Sequence, residues 1–244
     1  MNQLPRINPK SLFVIGMSAL VISVSGLLSA QDMSGMDSRP ESAAQSPIAL
    51  DPASGSEVGF IYEAFLSPHQ EGGEEEDTPA LTPPQFKSTA PSVARAERSS
   101  RGHSVIEFSR DLSRATVFLA VGNVNPDDVA MLHLHCGRPG QLGPIIIDFS
   151  LAGSINSYLA DGMLTIEVTN ADIEGVLDHA HGLVGQFTSG CPIVPGTLDK
   201  VVTIAGMELI ARSGELYFNL HTNGQIFYGD IRGQFHLVEE DGAQ

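Results

Sequence analysis

Two histidines stand two residues apart in MLHLHC, residues 131–136, and a third, His221, occurs far along the chain in LYFNLHT. On an extended strand this spacing puts His133 and His135 on one face, about 6.6 Å apart at the usual rise per residue. Imidazoles placed in this way form half of a Zn or Cu site, and His221 would make a three-nitrogen set. The structural alternative is that His133, His135 and His221 bond to carbonyls, to Asn219 or to carboxylates such as Asp230 and stabilise a polar layer, since one good partner per ring nitrogen satisfies a histidine. A second His-x-His, His179 and His181, sits in a polar loop before Gly182 without strand context.

The remaining candidates are weaker. The two cysteines, Cys136 and Cys191, are read as a disulfide, the default pairing in an oxidising compartment; the competing reading leaves free thiols with Cys136 as a metal ligand. Tyr217, Asn219, Asp230 and Arg232 are assigned to a structural polar face, where an Arg–carboxylate contact could bridge neighbouring strands. Glu74 to Asp77 are adjacent acids and lack the turn-spaced carboxylates of a calcium loop. Met33 and Met36 are too few for a thioether copper site. Ser150 and Ser154 have no elbow motif or obvious base, so hydrolase chemistry is unsupported and no catalytic residue is assigned.

Composition narrows the class. The 244 residues carry a formal net charge of -16 and no Lys/Arg cluster, which excludes a nucleic-acid partner and disfavours anionic membrane surfaces. Arg6 and Lys10 precede an uncharged run from Ser11 to Leu28, and Ser29-Ala30 offers small residues for cleavage. Residues 1–30 therefore read as a secretory signal peptide, or as a membrane anchor if uncleaved. Residues 31–56 read as a flexible linker, 57–238 as one β domain with a long solvated acidic loop at 67–92, and 239–244 as a frayed tail.

The elements that must position the histidines follow from alternation. Strands are expected at Val58–Leu66, Ser104–Ser109, Thr116–Val121, Val129–Cys136, Ile145–Leu151, Met163–Thr169, Glu215–Thr222 and Ile226–Val238. Apolar residues on both faces of Thr116–Val121 suggest a strand crowded on both sides. Short helices are expected at Asn170–Leu177, with Asn170 as its cap, and at Thr203–Arg212, stopped by Ser213-Gly214. Gly229 and Gly233 in the last strand imply close backbone approach or a bulge. Many strands with brief helices make an antiparallel β-sandwich or Greek-key barrel.

Two segments carry a family likeness. HLHCGRPGQLGPIIIDF and GELYFNLHTNGQIFYGDIRGQF together resemble the CHRD domain, repeated in chordin and single in many microbial exported proteins, with expected coverage from about Phe60 to Leu237. Asp230 stands where that family usually has Glu, the loop after Leu66 looks like an insertion, and the cysteine pair is not expected of every member. The resemblance implies an all-β extracellular module without established catalysis, whose partner would be an extracellular protein or envelope component. The leading expectation is thus a secreted binding or interaction module. The alternative is a Cu- or Zn-binding redox protein resembling a superoxide dismutase-type sandwich, using His133, His135 and His221, although the rest of such a ligand set is not located. A structural cell-envelope protein is the third reading.

Overall fold

The computed structural model describes residues 51–180, 182–193 and 197–238. The expected signal segment, residues 31–50 of the expected linker, His181 and the expected tail lie outside them. Pro52–Gly55 is a short helix, α1, capped by the Asp51 side chain. Nine strands follow: β1 (Val58–Leu66), β2 (Arg101–Ser109), β3 (Arg114–Gly122), β4 (Val129–Cys136), β5 (Ile145–Asp148), β6 (Met163–Thr169), β7 (Leu216–Thr222), β8 (Ile231–Gln234) and β9 (His236–Leu237). They make two antiparallel sheets, β6-β3-β2-β1-β9 and β5-β4-β7-β8, which is a β-sandwich.

Alternation explains the core. Tyr62, Ala64 and Leu66 of β1, Ile106 and Phe108 of β2, and Val117 and Leu119 of β3 meet Leu132 and Leu134 of β4, Phe218 and Leu220 of β7, and Ile231 of β8 in one buried cluster. At about 25 cal/mol per Å² of apolar surface removed from water, this layer is the main stabilising term. The outer side of β3 is not a second core, because Phe118 is half-buried and Ala120 exposed.

Several elements differ from expectation. The run after Ile145 stops at Asp148, whose side chain accepts from Ser150 N at 2.9 Å and turns Phe149–Leu151 into a 3₁₀ turn. The residues expected as one closing strand form a loop from Ile226, then β8, and then β9 in the other sheet. Between those strands Phe235 points into the core. Helix α2 (Ile155–Tyr158) and α4 (Gly182–Thr188) carry too little periodic pattern to be foreseen, and α3 (Asn170–Asp178) is capped by Thr169 and Asp172 rather than Asn170. Asn170 Oδ1 instead accepts from Ile204 N, at the start of α5 (Ile204–Arg212). Among the described residues no helix is long and apolar enough to cross a membrane.

Cys136, at the end of β4, forms a disulfide with Cys191 across a separation of 55 residues, with Cα atoms 6.0 Å apart. It pins the α4 segment to the histidine strand. Closing a loop of that length stabilises by about 4 kcal/mol on chain-entropy grounds. The paired substitution Cys136→Ser with Cys191→Ser should lower the unfolding free energy by up to about that amount in urea denaturation. An unchanged midpoint would show that the cross-link constrains little.

Candidate metal centre

The outer face of the four-stranded sheet is the unusual surface of this protein. On it lie His133 and His135 from β4, Tyr217, Asn219 and His221 from β7, and Arg232 and Gln234 from β8, all buried. Register sets the neighbours: His133 opposite Asn219, His135 opposite Tyr217, and Met131 opposite His221. An outer sheet face normally meets water; here segments 67–100 and 137–144 cover it.

Part of the acidic segment belongs to that cover: Glu71 and Glu75 are buried, while Glu76 and Asp77 remain exposed as expected of a solvated loop. Glu75 is buried because its carboxylate accepts from Phe227 N at 3.1 Å, Tyr228 N at 3.3 Å and Ser88 Oγ at 2.6 Å. Neighbouring Glu74 lies 3.5 Å from Arg98. Glu71 is buried with both carboxylate oxygens unpartnered, and burial pushes its carboxyl well above the usual range, with Arg232 and Arg98 opposing. Adjacent acids gave no cue that one would be drawn inward.

Arg232 and Asp230 do not pair with each other. Arg98 Nη1 lies 3.6 Å from Asp230, while Arg232 donates to Gln141 O at 2.6 Å and Arg138 O at 2.9 Å. The Arg232 guanidinium also lies 3.5 Å from the Tyr217 ring centroid, and that ring stacks on His135 at 4.9 Å. The other layer is fixed by Gly143 N, which donates to Tyr217 Oη at 2.9 Å. Gly229 permits close approach to Asn219: it adopts φ +108, and a Cβ there would fall 2.1 Å from Asn219 Oδ1. His236 is exposed because the chain has changed sheets.

Within this face the three histidines converge, each offering a ligand atom within 4.8 Å of the other two. His135 Nδ1 contacts Gly143 O at 2.9 Å and His221 Nδ1 contacts Ile226 O at 2.9 Å. A carbonyl can only accept, so both rings carry Nδ1–H and present Nε2 as a lone pair when neutral. His133 Nε2 lies 3.6 Å from the Asp148 carboxylate. The opposite nitrogens, His133 Nδ1, His135 Nε2 and His221 Nε2, are buried and have no hydrogen-bond partner. The structural alternative therefore accounts for Nδ1 of His135 and of His221, gives His133 only the 3.6 Å contact to Asp148, and leaves one nitrogen of each ring without a partner. Asn219 Oδ1 is a further buried acceptor without a partner.

Burial holds all three rings neutral. His133 and His135 fall well below the ordinary value, through desolvation first and then neighbouring histidines; His221 falls to about 4 through desolvation, although the Ile226 carbonyl and Glu75 pull upward. Neutral imidazoles are the form that binds Zn or Cu, and ligand nitrogens at about 2.0–2.1 Å from an ion fit this arrangement after modest contraction. Above them opens a cavity of about 310 Å³, lined by the three rings. His179, by contrast, ends α3 with Nδ1 on Gly175 O and stands apart from this set.

Comparison with known families matches the CHRD domain over residues 80–235. The match starts inside the acidic segment, later than Phe60, and leaves out β1, although β1 lies inside the five-stranded sheet. No curated protein and no solved structure matches.

The buried imidazoles dictate the metal-free domain's response to acid. The unfolded chain takes up protons as pH falls through about 6.5, whereas folded His221 resists until about 4, so stability is full above that window and is lost within it. For His221 alone the loss approaches about 3 kcal/mol. Glu71 acts oppositely, its contribution being lost as pH rises, so Glu71→Gln should steepen the acid loss of melting temperature between pH 7 and pH 4.5. A Glu71→Gln domain whose melting temperature is flat over that range would contradict neutral buried rings.

Proposed function

The chain belongs to the CHRD domain family, and on that premise we propose that it is an extracytoplasmic binding module whose ligand is a single Zn or Cu ion held by His133, His135 and His221. The observation that carries this reading is that three buried histidines, each with one unpartnered ring nitrogen, bring ligand atoms within 4.8 Å of one another. A solitary unpartnered group can be a packing defect; three in neighbouring rings, two of them oriented by carbonyls and the third 3.6 Å from a carboxylate, suit a ligand set with a supporting shell.

Three protein ligands suit an open site better than a closed structural one. Copper would add redox capability; zinc would not. The cysteine pair and the N-terminal sequence both support an oxidising compartment outside the cytoplasm.

Metal analysis after Cu and Zn loading should give one ion per chain, lost in His133→Ala. Asp148→Ala, which keeps all three ligands but removes the carboxylate near His133, should weaken binding by about 10–100-fold. No bound metal after loading, or equal metal in His133→Ala, would remove the reading.

A further inference from the structure

The cavity over the three histidines is notable for what lines it. Among the described residues no Asp, Glu, Lys or Arg does, whereas Phe86, Phe187, Tyr217 and Phe227 contribute aromatic rings. Apart from the histidines and Asn219 Oδ1, two of its polar groups are committed: Tyr217 Oη accepts from Gly143 N, and Asn219 Nδ2 donates to Tyr228 O. Phe187 is 74% exposed, on α4, four residues before the disulfide that ties this wall to β4.

We infer that this cavity binds a small phenol, with its oxygen on the histidine-held metal and its ring against the aromatic wall. The inference rests on the metal reading above and names the ligand of that site. Three neutral imidazoles leave a divalent ion's two positive charges uncompensated, and the wall supplies no carboxylate. In a low-dielectric setting an anionic oxygen is then the favoured additional ligand. A phenol brings one ionisable oxygen directly on an apolar ring, and the metal lowers the oxygen's pKa toward neutrality. Sugars and peptides would need many polar partners that this wall does not offer. A cavity of about 310 Å³ is sized for one ring with small substituents.

The test is an optical titration of the Cu(II)-loaded protein with 4-nitrophenol and, separately, with azide, with metal content measured in each sample. The same titrations are run on Phe187→Ala, whose exposed position makes a folding defect unexpected. The inference expects 4-nitrophenol to bind more tightly than azide, and Phe187→Ala to weaken the phenol roughly tenfold while metal content and azide binding stay unchanged. Phenol binding no tighter than azide binding, or insensitive to Phe187→Ala, overturns the inference and leaves the metal site standing. A protein that takes up no copper overturns the phenol site, and one that takes up neither copper nor zinc overturns the metal reading with it.

Discussion

Desolvation of one polar sheet face is the constraint on which the rest of this structure depends. A sandwich needs to bury only its inner faces, yet the outer face of β5-β4-β7-β8 is buried as well, with three histidines, a tyrosine, an asparagine, an arginine and a glutamine on it. Polar groups withdrawn from water must find partners or lose several kcal/mol each. The covering segments supply them. Gly143 and Ile226 offer carbonyls to two histidines, Gln141 and Arg138 offer carbonyls to Arg232, and Glu75 accepts from the backbone of the 226–230 loop.

That matching is incomplete: among the described residues nine buried side-chain atoms have no partner, and three of them are ring nitrogens of the histidines whose ligand atoms lie within 4.8 Å of one another. The flanking stack of Arg232, Tyr217 and His135 restrains one ligand ring from behind, and the disulfide restrains the cavity wall from the side. Stability and site construction thus share contacts, since the Gly143 and Ile226 carbonyls that satisfy the buried face also orient His135 and His221.

Much of this was legible in the sequence, and the limits have physical causes. Period-two alternation located β1, β4 and β6 to the residue and put His133 with His135 and Tyr217 with Asn219 and His221, because side-chain direction is fixed along a strand. It could not show that both faces of β7 are buried, since that depends on loops folding over from distant sequence. Glu75 was unreadable for the same reason: its partners are backbone amides at 227 and 228. The final run read as one strand because hydropathy does not register a change of sheet, which Phe235 makes by turning into the core. The family likeness, carried by the two terminal segments of the site, extended further toward the N-terminus than the match at 80–235.

The central claim is that this face presents three neutral imidazoles to one point. Nitrogen-15 NMR of the histidine rings during titration with Zn(II) tests it most directly. The account predicts Nδ1–H on His135 and His221 and Nε2–H on His133 before metal, with one equivalent of zinc shifting His133 Nδ1, His135 Nε2 and His221 Nε2 together while those protons remain. Rings that are protonated on both nitrogens at neutral pH, or that stay unshifted by zinc, would contradict it.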